Sequence, residues 1–526
     1  MQVVSSPRQL RRTDRIVSVL MLAFSVAGSS GCTTLLRGRA APEPPSQVAV
    51  ECANALVVGL HWAAPDGRAI AGFQISRDGM TIGRTAELSF TDHSVSAQTH
   101  YSYSVTAVDR WGNEAAAMPV EVDTPAASAR GGAPYCPSQM LPSVSFDWSR
   151  GYTEPNGSDL WPVTWGSDGQ VYAFFGDGGG IGGDDHRGRA SFGIASFSAP
   201  PPFTPATAKN VYGGYQASYP SHINGKASAI IAVGNDFYTV GGIYDDRDVD
   251  QHPHPVSGAP DRVQLGFSVG NAHSWQAVPW TFCRPHEREP DPSAGEFCPS
   301  RFVNFGPGNS GSRDRYVYLV GVRNEKSYWG DVPMGVPANT YLARVPRTQL
   351  LRQHAYRFYG GIDRHGKPSW VAHSAHMQPI FVDGNSNVPG CGSVCSMSST
   401  LGEITHDFGL HRYLGIAQGA CVGQTSLYEA PEPWGPWHVI QYNNIDPVDG
   451  GGGWGRLGTK SGGAMGVHIV NAWTSPDGST IWLSYSSDGV APEGAAFPPA
   501  GSSMDSLNLI PAHLTVSATE ASLSHK

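Results

Sequence analysis

The sequence predicts an all-β protein, a five-bladed β-propeller preceded by a small β-sandwich. Composition is the first reason. Glycine (64) and proline (41) are abundant, charged residues make up only 15%, and 14 Trp, 20 Tyr and 19 Phe supply apolar material for a core. Disordered chains show the reverse, few aromatics and high net charge. Periodicity is the second. Segments of residues 47–125 alternate apolar and polar with period two, and over the 380 or so residues after the following linker only RTQLLRQ (347–353) has helical spacing. Repetition is the third: a strand hairpin followed by further strands returns about five times.

The first element is a targeting segment. Arg8, Arg11, Arg12 and Arg15 precede the apolar run IVSVLMLAFSVAG (16–28), which is too short to span a bilayer comfortably. SSGC then ends at Cys32. Small residues before a cysteine resemble a bacterial lipobox, although Ser29 stands where Leu is usual. The expectation is cleavage of residues 1–31 and lipidation of Cys32, with plain secretion as the alternative. Cleavage would remove four Arg and one Asp, leaving the mature chain more acidic than its formal −9. The chain is thus expected in the cell envelope, as a membrane-anchored lipoprotein or a secreted monomer. No basic stripe is present, which argues against nucleic acid as a partner.

Eight cysteines suit an oxidising compartment. Cys52 with Cys136, and Cys283 with Cys298, are candidate pairs. Cys391, Cys395 and Cys421 leave one thiol over, and spacing alone does not settle connectivity. Zinc is the rival reading of CGSVC, but no second ligand pair accompanies it.

Residues 32–46 form a Pro-rich tether. From 47 to 125 the pattern is a separate β unit: LHW (60–62), GFQISRDGMTIG (72–83) and YSYSVTAVDRWGNE (101–114) alternate, and Asp78-Gly79 marks a hairpin turn. Trp62, the run from Tyr101 to Asp109 and the turn at Gly112-Asn113 resemble a fibronectin type III module. Such a resemblance implies a spacer or weak adhesion unit without chemistry. Residues 126–140 are a linker, 141–515 the propeller, and 516–526 a tail.

Within the propeller, VTWGSDGQVY (163–172), SAIIAVGNDFYTVGG (228–242), RFVNFGPGNSGSRDRYVYLVG (301–321), SVCSMSSTLGEITHDFGLHRYLGIAQG (393–419) and NAWTSPDGSTIW (471–482) are the five hairpins. FGIASFS, VQLGFSV, TYLARVP and SLYEAP read as third strands. The spacing is uneven, so a large β-sandwich is the competing architecture.

The first hairpin carries an acid at each end, Asp159 and Asp177. With Gly166–Gln170 as a five-residue loop, Trp165 pairs with Val171, Val163 with Ala173, Trp161 with Phe175, and Asp159 with Asp177. A four-residue loop would put Asp159 opposite Gly176 instead. Directly opposed carboxylates repel, and one then holds a proton while its neighbour is ionised. That division suits acid and nucleophile or base chemistry on a glycosidic bond. Pro162 belongs on an edge strand, such as the channel-lining inner strand of a blade. The bland alternative is turn capping, the role assigned to Asp168. GGGIGGDD (178–185) reads as a flexible loop that admits a ligand, and Asp177, Asp184 and Asp185 match no EF-hand spacing. No cofactor is called for, and no metal site is assigned.

The pattern D-x-WPVTW-x-x-DG-x-x-Y-x-x-x-GDG, followed by SLYEAPEPWGPW (426–437), resembles a five-bladed propeller family long catalogued as a domain of unknown function. Its members include bacterial endo-D-arabinofuranases, which cut the D-arabinan of mycobacterial cell walls. The resemblance covers roughly residues 141–515 and implies glycosidase activity with the paired carboxylates on Asp159 and Asp177. Leu160 between Asp159 and Trp161, and the loose match of the middle blades, leave the substrate open.

Trp161, Lys226, Asp245, Asn304, Arg323, Asn324, Gln418 and His468 are the candidate substrate-binding residues of an inner rim, with His222 beside them. Glu429 and Glu432 read as structural, since their strand lies away from the channel. No GxSxG or Ser/His/Asp order appears. The reading is an exported glycoside hydrolase acting on an extracellular polysaccharide; the alternative is a non-catalytic carbohydrate-binding or adhesion propeller.

Overall fold

The computed structural model describes residues 41–65, 70–128, 131–154, 157–245, 262–284, 297–323, 337–388, 398–419, 425–442, 465–487 and 505–517. Strands and short 3-10 turns make up its regular structure. RTQLLRQ is no α-helix: it runs through turns into a 3-10 helix at Gln353–Ala355. Among the described residues no helix is long and apolar enough to cross a membrane. Cys32, Asn324, Cys391, Cys395 and Cys421 lie outside the described residues.

Strands from Ser46 to Asp123 form two sheets. Ser46–Ala53, Val58–Ala63 and Ser89–Asp92 make one. Met80–Thr85, Ile70–Arg77 and His100–Asp109 make the other, with Glu114–Ala116 and Val120–Asp123 beside the last. Alternation puts Leu60, Trp62, Phe73, Ile75, Tyr103 and Val105 on the inner faces, where they pack as one core. Asp78-Gly79 is the expected turn, with Gly79 at φ 79°.

Among the described residues four further sheets follow, built of five antiparallel units, I to V, of which III and IV are joined by a parallel pair into one ten-stranded sheet. Sheet I is Val163–Trp165, Val171–Phe175, Gly193–Phe197 and Ala208–Tyr212. Sheet II is Ile223–Val233, Asp236–Asp245, Gln264–Ser268 and Gln276–Ala277. Sheet III runs Phe297–Asn304, Tyr316–Arg323, Ala338–Pro346, Arg357–Ile362 and Pro368–Val371, with Pro379–Asp383 against its third strand. Sheet IV is Ser399–Asp407, Arg412–Gly419, Thr425–Ala430 and His438–Gln441. Sheet V orders Met465–Ile469, Thr480–Ser486, Leu507–Thr515 and Tyr152–Glu154, and Ser143–Phe146 also pairs with Leu507–Thr515. Both ends of the sheet-forming span therefore meet in sheet V.

Specific bonds join neighbouring sheets through their first strands or first hairpins. Ala232 N–H donates to Thr164 Oγ1 at 2.9 Å, and Gly234 N–H to the Gly308 carbonyl at 2.9 Å. Val303 and Asn304 pair in parallel with Ile404 and Thr405. Asn471 Nδ2 donates to the His406 carbonyl at 3.0 Å. Sheet V in turn grips the segment before sheet I, where Leu160 N–H donates to Ser486 Oγ at 2.7 Å and Ser484 Oγ to the Trp161 carbonyl at 3.2 Å. The first strands of sheets II to V each carry a register shift, at Ala227/Ala229, Pro299/Arg301, Leu401/Glu403 and Met465/His468. Such bulges re-aim side chains.

Among the described residues two disulfides are present, Cys52–Cys136 and Cys283–Cys298, the two candidate pairs. The first ties the sandwich to the segment leading into the sheets. Beside it Glu51 of the sandwich faces His438 at 3.6 Å.

Candidate active site

Turn chemistry builds the first hairpin. Gly166 N–H donates to the Gln170 carbonyl at 2.8 Å and closes a five-residue loop. Asp168 accepts from Gln170 N–H at 3.1 Å and from Tyr172 OH at 2.8 Å, the turn role expected of it. Val163 pairs with Ala173, Thr164 with Tyr172 and Trp165 with Val171.

Below Val163 the expected register fails. Asp159 bridges Gly176, not Asp177. Leu160 and Trp161 are the reason: at φ 77° and 51° both sit in the left-handed region, and the strand slips by one residue there. Asp177 itself has φ 61° and turns out of the strand line. The two acids are nevertheless brought together by Lys226. Its Nζ lies 3.2 Å from Asp159 Oδ2 and also contacts Asp177 Oδ2. Two oxygens on one ammonium are within roughly 6 Å of each other, the sum of two hydrogen-bond lengths. Lys226 does not precede the second hairpin as read from sequence; it lies within Ile223–Val233, just before that strand's bulge.

Asp159 is only 8% exposed, and its Oδ1 has no hydrogen-bond partner among the described residues. Burial pushes its carboxyl up to about 6; Lys226 opposes this, and Asp177 and Asp505 add to it. The Lys226 ammonium is held above its usual range: burial works against the charge, but Asp159 and Asp177 outweigh it. Asp505, just before Leu507–Thr515, is a third acid near the pair that the sequence reading missed.

The 178–185 loop is a firm wall. Asn210 Nδ2 donates to the carbonyls of Gly179, Ile181 and Tyr215, its Oδ1 accepts from Ile181 N–H, and the buried Ser158 Oγ accepts from Gly180 N–H. Gly180, at φ 64°, has no room for a side chain, since a Cβ would stand 2.4 Å from Asn210 Oδ1. Asp184 is spent on His186 and Arg187 N–H groups, and among the described residues no group of three His, Cys, Asp or Glu is placed to hold a metal.

Most other candidates do not gather at the acids. Trp161 is fully buried, stacked on Phe175 and packed with Val470 and Trp482, so it offers no face to a ligand. Asn304, 4% exposed, caps Gly306 N–H at 3.0 Å. Arg323 reaches back over its own sheet to Tyr341 OH and the Met377 carbonyl. Gln418 pairs with Thr400 and Thr425 inside sheet IV. His468, 1% exposed, lies within Met465–Ile469 and bonds Glu403, not solvent. Asp245 ends its strand opposite Ile223, and its side chain lies outside the described residues. His222 is engaged with Tyr212 OH. Glu429 accepts from Ser138 at 2.8 Å and faces Arg412, and Glu432 accepts from Arg313.

An open cleft of about 190 Å³ lies between the sandwich and sheets III and IV. Phe90, Tyr135, Tyr359, Trp434 and Trp437 line it, and the Tyr359 and Trp434 rings lie 10° from parallel.

No family model matches the chain. An alpha-amylase of Niallia circulans is 43% identical over 74 residues, covering 14% of this chain and 6% of that protein. Exoglucanase B of Cellulomonas fimi is 29% identical over 127 residues, covering 23% and 12% respectively. The chain thus spans a small part of the curated relatives it matches, and the 74-residue match is close to the sandwich in length. Among solved structures, a family 28 exopolygalacturonase of Yersinia enterocolitica aligns with 16% of this chain and 20% of its own at 21% identity and a TM-score of 0.15. The fibronectin type III domain of human fibronectin type III domain containing protein 3 aligns with 19% of this chain and 94% of its own at 20% identity and a TM-score of 0.16. The corresponding values for the fn3 domain of human contactin 1 are 21%, 100%, 22% and 0.17.

Proposed function

We propose that the protein is a glycoside hydrolase acting on an extracellular polysaccharide, with Asp159 as general acid and Asp177 as nucleophile or base. One observation carries the reading. A buried carboxyl titrating near 6, with one oxygen unpartnered, shares a cation with a second carboxylate. Environments that split two acids in this way are what glycosidic cleavage needs. Lys226 stabilises the pair between turnovers. In this reading the five linked units close into a five-bladed propeller, with the acids at its channel mouth. The amylase and exoglucanase names support a carbohydrate-active protein, but over a length that suits a sandwich module, so the catalytic assignment leans on the acids. D-arabinan is the proposed substrate on the strength of the hairpin and SLYEAPEPWGPW motifs, and export with lipid on Cys32 is the proposed placement. A polysaccharide panel including mycobacterial arabinan, read by product chromatography, tests the function. Products from arabinan, lost in Asp159→Asn, support it; no cleavage of any polymer overturns it.

The aromatic cleft favours a second reading, non-catalytic carbohydrate binding, because sugar rings stack on aromatic faces and the part-exposed Phe90 and Trp434 stand in its lining. Under that reading Trp434→Ala abolishes binding to a polymer that the protein does not cleave.

A further inference from the structure

Arg301, Glu403 and His468 occupy one register position. Each is the first paired residue after the bulge in the first strand of its sheet, and Ala229 takes that place in sheet II. Equal register after equal bulges aims the three side chains alike. Two of them meet: His468 Nδ1 lies 3.1 Å from Glu403 Oε2, and Glu403 Oε1 accepts from Thr405 Oγ1 at 3.0 Å. Both are buried, at 1% and 7% exposure. His468 lies beside the Leu160 backbone, its Nε2 has no hydrogen-bond partner among the described residues, and Arg301 adds positive charge nearby.

Leu160 is the neighbour of Asp159, and its left-handed backbone must be held by its surroundings. Sheet V does so from two directions. Ser486 Oγ accepts its N–H, and Gly466 leaves space for its carbonyl, which a Cβ there would approach to 2.7 Å. His468 stands in the same strand as Gly466, and Glu403 fixes the ring from sheet IV.

We propose that the Glu403–His468 pair is a positioning device: by backing the Leu160 turn it sets the direction of the Asp159 carboxyl relative to Lys226 and Asp177. Neither side chain touches substrate. The effect on turnover rests on the glycosidase reading above, whereas the effect on the Asp159 carboxyl does not.

The test uses the full chain with Glu403→Gln, which keeps the shape, and His468→Phe, which fills the space without a polar edge. Two quantities are read: steady-state kinetics on the polymer found by the panel, and the ¹³C titration of the Asp159 carboxyl. The expected result is a kcat lower by about 10- to 100-fold with KM within about twofold, the cost of a misplaced reacting group. The Asp159 midpoint moves from its wild-type value by more than about half a unit, since its distances to Lys226 and Asp177 change. An unmoved midpoint in folded Glu403→Gln overturns the proposal, whatever His468→Phe does. If no polymer is cleaved while the midpoint still moves in Glu403→Gln, the glycosidase reading falls and the positioning role stands.

Discussion

Asp159 stands opposite Gly176 and exchanges both backbone hydrogen bonds with it, at 2.9 and 3.2 Å. Asp177 is therefore one residue out of line, and the two acids interact through a cation more than through a strand pair. The local charge set is carboxylate, ammonium, carboxylate. That set behaves differently from two bare opposed acids, and the difference is measurable.

Lys226→Met is expected to shift the working pH. Lys226 lowers the Asp159 carboxyl, so without it the midpoint climbs further above 6. A general acid that holds its proton longer moves the basic limb of kcat/KM to higher pH, by about one unit or more for the loss of an adjacent opposite charge. A pH–rate profile of the variant checks this, and an unmoved basic limb speaks against Asp159 as the acid.

The same carboxyl makes stability depend on pH in a defined direction. Its native midpoint, about 6, lies above the ordinary 3.8. Between those values the native state binds the extra proton, so stability is lost as pH rises from about 4 through 6. Full ionisation costs roughly 3 kcal/mol relative to an unperturbed acid. Thermal melts of wild type and Asp159→Asn from pH 4 to 8 are expected to diverge, with the wild type falling behind as pH increases. Parallel curves would contradict the buried-acid assignment.

Local chemistry was legible in the sequence. The loop Gly166–Gln170, its flanking pairs and the turn role of Asp168 follow from an Asp-Gly turn between alternating strands. The slip at Leu160–Trp161 was not, because Ser484 and Ser486, more than 300 residues away, help to hold it. Lys226 could be listed as polar, but its place between two acids depends on how sheets I and II meet. Arg301 and Glu403 were missed, although each directly precedes a strand core, FVNF and ITHDF, just as His468 precedes IVNAW. Aligning the five first strands on those cores would have found them. Pairing of residues 143–146 and 152–154 with 507–515 is a long-range contact that no local pattern announces.

The two disulfides should differ in worth. Cys52–Cys136 closes 84 residues and Cys283–Cys298 closes 15. Chain entropy assigns about 4.5 kcal/mol to the first loop and about 3 kcal/mol to the second. Denaturant melts of the Cys52→Ser/Cys136→Ser and Cys283→Ser/Cys298→Ser double variants should rank in that order. The reverse order would mean that the sandwich and the sheets unfold independently, so that the longer loop constrains little.

Asp159→Asn and Asp177→Asn are both expected to abolish hydrolysis while moving stability in opposite directions. Asp159 is a buried acid whose ionisation the fold resists; an amide there removes that penalty and leaves Lys226 paired with Asp177. Its melting temperature at pH 7 should hold or rise, as when a residue kept for function is relieved of strain. Asp177 is more open, with a third of its side chain exposed, and is ion-paired with Lys226. Neutralising it forfeits a partly screened pair, about 0.2–1 kcal/mol, so its melting temperature should drop slightly. A turn-capping aspartate at either position would instead lose about 0.5–1.5 kcal/mol and keep its turnover. Melts and single-turnover rates on the same two proteins separate these outcomes: an active, destabilised Asp159→Asn would remove Asp159 from the chemistry.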